Sequence, residues 1–194
     1  MPINRSGVLR RFSLFFFNVS NFKIGFVATA IFSGYLAFLS LISKSFEVAG
    51  GEVKSLGTTF GFGFGDVENF FSERSELMLT SYINFNQVWD NIFAIIYGFM
   101  YVIWLSFIYK PYSERIWLFN LLPLTQVIFD WVENFCLAVL TKSYLTDGAI
   151  SASTANLASS ASIMKWVISG FVYLLIGYGV MLRLIKAIKS KTVN

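Results

Sequence analysis

Four long apolar stretches set the terms for this chain: Ile24 to Ile42, about Val88 to Tyr109, Ile116 to Leu140, and Trp166 to about Ile185. Each is near the ~20 residues that an α-helix needs to cross ~30 Å of hydrocarbon. Inside a bilayer every backbone N–H and C=O must be satisfied within its own segment, so stretches of this length are predicted to be helices. The composition agrees, with 56% hydrophobic, 19% aromatic and only 13% charged residues and a mean hydropathy of +0.64. The expected fold class is all-α, an integral membrane four-helix bundle forming a single transmembrane domain over residues 1–194, with outer loops at 43–87 and 141–165.

Ten of the 15 Lys and Arg residues gather at one end: Arg5, Arg10, Arg11 and Lys23 before the first stretch, Lys110 and Arg115 between the second and third, and Arg183, Lys186, Lys189 and Lys191 after the fourth. The other end carries Lys44, Lys54, Arg74, Lys142 and Lys165 among most of the acids. By the positive-inside rule both termini and the Lys110 to Arg115 turn are expected to be cytoplasmic, as in a bacterial inner (plasma) membrane. The net charge of +4 is then a topology signal suited to anionic lipid headgroups, and no nucleic-acid partner is needed to explain it. Arg10-Arg11 faintly resembles a twin-arginine signal, but the apolar run that follows is long and lacks a small-residue exit, so it reads as an uncleaved anchor.

Histidine is absent and Cys136 is the single cysteine. A disulfide framework, His-containing zinc or di-iron sites, His-ligated haem and Ser-His or Cys-His nucleophile pairs are thereby removed, and no metal or cofactor is expected. Chemistry must come from carboxyls, amides, hydroxyls and rings.

The first outer loop is too long for a turn. After Phe60-Gly-Phe-Gly-Phe-Gly65, the spacing of Val67, Phe70, Phe71 and Met78 predicts an amphipathic surface helix over Asp66 to Tyr82, with Asp66 as its N-cap. The second outer loop, rich in Ser, Ala, Thr and Gly, reads as a linker. Gly170, Gly177 and Gly179 are expected to permit close helix approach.

Three acids, Asp90, Asp130 and Glu133, fall within the second and third stretches, where no Lys, Arg or His balances them. A carboxylate near a bilayer centre costs roughly 2.5–3.5 kcal/mol on insertion scales, so such groups face the protein interior and usually act there. Gln126, Asp130, Glu133 and Asn134 lie at offsets that share one helical face. So do Asn86, Asp90, Phe93, Tyr97 and Tyr101 on the preceding helix, its antiparallel neighbour across a turn containing Pro111. A ligand-binding cluster of Asp90, Tyr97, Gln126, Asp130, Trp131, Glu133 and Asn134 is expected in the outer half. Asp90 also reads as an interfacial helix-start acid, and Asp130, Glu133 and Asn134 as glue between helices.

The run Trp89-Asp90-Asn-Ile-Phe93-Ala-Ile-Ile-Tyr97-Gly98, then Leu122-Pro123 and Asp130-Trp131-Val-Glu133-Asn134, resembles a group of small four-helix membrane proteins. They share Asp-x-x-Phe-x-x-x-Tyr in helix two and Asp-(Trp/Tyr)-x-Glu-Asn in helix three. The likeness covers roughly residues 58–140, departs at Ala94 where that group often has Pro, and implies no assigned activity. The general plan is similar to the emopamil-binding (EXPERA) superfamily, which implies acids that meet a lipophilic amine or a carbocation-like intermediate, although the His of its isomerases has no counterpart here.

Three functions follow as expectations. The first is binding of a lipid-like or cationic amphiphilic molecule, with membrane lipids as partners. The second is an accessory or scaffold subunit whose acids pair with Lys or Arg on another membrane protein. The third is an isomerase-type enzyme with Glu133 and Asp130 as its acid/base pair.

Overall fold

The computed structural model describes residues 5–50, 54–113 and 117–191. Among these the regular elements are all helical: α1 (Arg5–Val19), α2 (Phe22–Ile42), α3 (Phe64–Ser72), α4 (Glu76–Asn84), α5 (Asp90–Tyr109), α6 (Leu122–Asp147) and α7 (Ala152–Lys191). A π-helical turn, Phe85–Trp89, joins α4 to α5 without a break. Four helical runs are long and apolar enough to cross a membrane: Phe22–Ser45, Glu76–Tyr112, Phe119–Asp147 and Ala152–Lys186. They correspond to the four predicted spans; the expected start of the third at Ile116, and Arg115 in the preceding turn, lie outside the described residues.

Two of the runs are far longer than a bilayer needs. At ~1.5 Å per residue, the 37 residues of Glu76–Tyr112 extend to roughly 55 Å, against ~30 Å of hydrocarbon. The excess projects at the loop-bearing end, where α3, α4 and the first loop build a cap on the ends of α6 and α7. Its core is aromatic: Phe46, Phe70, Phe71, Tyr82 and Phe85 are buried together with Leu56, Val67 and Leu79. Burying such side chains stabilises by about 1.5–3 kcal/mol each relative to water. Arg74 ties the cap together, its guanidinium 3.4 Å from the Phe70 ring centre. It donates to the Phe46 carbonyl at 2.9 Å and the Phe70 carbonyl at 2.6 Å.

The expected surface helix over Asp66 to Tyr82 is not one helix. It breaks after Ser72, and its second half is the start of the long α4–α5 run. Val67, Phe70 and Phe71 do form one face, and it is buried in the cap core. Asp66 stands inside the first turn and reaches back, its Oδ2 accepting from the Gly63 N–H at 2.6 Å.

The second loop differs more. Gly148, at φ +66, ends α6, and α7 begins at Ala152, so most of 141–165 is helix. The small residues that read as a linker form a packing face, with Ala155 and Ala158 buried against Cys136, Leu137 and Leu140. Of the three glycines of α7, Gly179 alone is at a close approach, against Ile108 and Tyr109, while Gly170 and Gly177 have open space around them.

An additional helix, α1, precedes the first span. Phe16 and Phe17 are buried, and the Ser13 hydroxyl reaches the Trp117 carbonyl and Asn120 Oδ1. The Asn120 amide in turn donates to Ser106 at 2.8 Å. Lys110 caps the helix end by donating to the Asn18 carbonyl at 2.9 Å.

Candidate functional site

A cavity of about 650 Å³ lies between α2 and α7, backed by α5 and α6 and roofed by loop residues 54–58. Its size is that of a small-molecule pocket. Phe93, Tyr97 and Tyr101 from α5, Phe32 from α2 and Tyr173 from α7 form aromatic walls. Leu36 on one lip and Trp166 and Tyr173 on the other are exposed, so the cavity opens sideways between α2 and α7 at the level of the apolar spans.

The local sequence explains how the polar groups arrive there. The π turn draws the Asp90 N–H back to the Phe85 carbonyl, and α5 then presents Asp90, Phe93, Tyr97 and Tyr101 along one face, all of them lining the cavity. Tyr35 of α2 holds that turn by donating to the Trp89 carbonyl at 2.9 Å. From α6, Gln126, Asp130, Glu133 and Asn134 are all buried, as their shared face requires, and Gln126 and Asp130 line the cavity.

Lys165 corrects the sequence reading most. It was expected in a loop on the outer side, yet it stands within α7, buried, and forms ion pairs with Asp130 at 3.0 Å and with Glu133. The third Nζ proton goes to the Gly57 carbonyl at 2.9 Å. All three donors of the ammonium are therefore spent. Asp130 is further held by the Tyr97 hydroxyl, which donates to Oδ2 at 2.8 Å. Asp130 and Glu133 thus have an internal basic partner, one that lies in sequence beyond the two stretches that hold the acids.

The remaining expected residues divide. Trp131 is 43% exposed, does not line the cavity, and donates its indole N–H to the Asn91 carbonyl at 3.2 Å. It is a bundle contact and not a pocket wall. Glu133 and Asn134 are buried behind the wall; Asn134 donates to Asn91 Oδ1 at 3.2 Å and stands beside Asp90. Asp90 itself makes no ion pair within 4 Å among the described residues. Glu133 Oε1, Asn134 Oδ1 and Gln126 Oε1 have no hydrogen-bond partner among the described residues.

The roof is fastened to α7 at three successive turns. Phe62 N–H donates to Ser159 Oγ at 2.9 Å, Ser162 Oγ to the Thr59 carbonyl at 2.9 Å, and Lys165 to Gly57. Ser159, Ser162 and Lys165 were missed because their segment reads as a linker. A signal was present: Ala155, Ala158, Ser162, Lys165, Ser169 and Val172 recur at three- and four-residue steps, and all six are buried. Comparison with protein-family models, with curated proteins and with solved structures finds no match.

Proposed function

We propose that this is an integral membrane protein, spanning four times with both termini and the Lys110 turn on the cytoplasmic side of a bacterial inner membrane. We propose that it binds a lipid-like or cationic amphiphilic molecule in the cavity between α2 and α7. The observation that carries this reading is the combination of a laterally open, aromatic-walled cavity of about 650 Å³ with Asp90, a cavity-lining carboxylate that has no ion-pair partner among the described residues. A side opening at span level admits a molecule dissolved in the bilayer, and the carboxylate favours one carrying positive charge.

The accessory-subunit reading rested on acids without a basic partner; Lys165 supplies one within the chain, which weakens that motive. The acid/base reading needs Asp130 and Glu133 at the substrate, but both are engaged by Lys165, and Glu133 stands behind the cavity wall.

The test is native mass spectrometry of the detergent-purified chain, paired with thermal unfolding in the presence of added dodecylamine. A retained small molecule, or stabilisation by dodecylamine that Asp90→Asn abolishes, supports binding. A chain that carries nothing and gains no stability from any cationic or neutral amphiphile overturns it.

A further inference from the structure

Gln126 is the group in this cavity that the fold itself leaves unexplained. The residue is 5% exposed, it lines the cavity, and its buried Oε1 accepts no hydrogen bond from any described residue. A buried carbonyl oxygen left without a donor costs on the order of 1–3 kcal/mol, and the position would be cheaper to fill with Leu. Gln126 lies one turn from Asp130 on α6, on the side away from Asp90. Since the Tyr97 hydroxyl meets Asp130, the order along the cavity is Asp90, then the Tyr97–Asp130–Lys165 knot, then Gln126. The knot is closed: the Lys165 donors and the Tyr97 hydroxyl proton are all committed. Glu47, Lys54 and several hydroxyls line the cavity at its roof end, and along the α5–α6 wall two polar groups remain open to a guest, the Asp90 carboxylate towards the roof and the neutral Gln126 amide deeper in, with Tyr97 and Tyr101 beside the path between them.

We infer that the ligand is a two-ended amphiphile: a protonated amine seated at Asp90, and a neutral hydroxyl or amide group seated at Gln126, joined by an apolar segment against the Tyr97 and Tyr101 rings. This rests on the binding reading above and narrows it. A carboxylate suits the cation, whereas the amide, one acceptor and two N–H donors, suits a group that can both give and take a hydrogen bond. A ligand with a single polar head would leave Gln126 unpaired, so the site discriminates against it.

The probes are dodecylamine and the ω-amino alcohol of the same chain length, with binding to the full-length protein in detergent followed by titration calorimetry. The expected result is that the amino alcohol binds about tenfold more tightly than dodecylamine, the value of one good buried hydrogen bond. Gln126→Leu is expected to erase that preference, because the amino alcohol loses its partner and dodecylamine no longer leaves a buried amide unpaired. Equal binding of the two probes to the wild-type protein, a comparison that needs no variant, overturns the two-ended ligand and leaves amine binding intact. So does a preference that survives Gln126→Leu. Failure of both probes to bind overturns the binding reading itself.

Discussion

At the residue scale the decisive group is Lys165. Its single positive charge is shared by two buried carboxyl groups, so removing it leaves Asp130 and Glu133 without any cation among buried neighbours. Breaking a buried ion pair from one side costs about 3–5 kcal/mol. Lys165→Met is therefore expected to lower the unfolding temperature in detergent sharply, and combining it with Asp130→Asn and Glu133→Gln should recover most of the loss. Single Glu133→Gln should be mild, because Lys165 keeps Asp130 as counter-ion and the amide oxygen still accepts. Differential scanning fluorimetry of the three variants checks this; a Lys165→Met protein as stable as wild type would deny the ion pairs any structural role.

Helices and loops carry their own logic. The roof loop meets α7 at Gly61, whose φ of +76 is left-handed and whose added Cβ would stand 2.9 Å from Ile163 Cγ1. Gly61→Ala combines backbone strain of about 1–2 kcal/mol with that clash. It should loosen the roof and speed proteolysis within residues 54–62, read by limited digestion, while the four spans remain. Arg74 offers a second test in the cap. Its role is a fork of donors to two carbonyls over a ring, which an ammonium cannot copy, so Arg74→Lys should destabilise nearly as much as Arg74→Ala. Thermal unfolding of both variants reports it, and full rescue by Lys would show that charge alone suffices.

For the molecule as a whole, the expected orientation follows from the basic end, where Lys110 caps α1 and Arg183 donates to the carbonyls of Ile108 and Phe107. In intact cells, a cysteine placed at Tyr112, with Cys136 replaced by Ser, should be unreactive to an impermeant maleimide, and one at Leu77 reactive. The reverse pattern would invert the membrane topology. Tyr112 and Leu77 are both exposed, so reactivity reports side and not burial.

The four apolar spans were legible from hydropathy alone, because a helix in lipid must satisfy its backbone internally and show apolar side chains for ~20 residues, whereas α1 was not. The shared faces of Asp90 with Tyr97 and of Gln126 with Asp130 were legible from helical periodicity, which is local. Three things were not. The break of Asp66 to Tyr82 into α3 and the α4–α5 run depends on the cap core that Phe46 and Leu56 complete from outside that segment. The helical course of 152–165 was hidden because Ala and Ser there face protein, where smallness allows contact, and hydropathy registers only what lipid requires. The pairing of Lys165 with Asp130 and Glu133 joins residues more than thirty positions apart. Nothing within a single helix specifies such a contact; only the packing of α7 along α6 brings those charges together and leaves Asp90 without an ion-pair partner among the described residues.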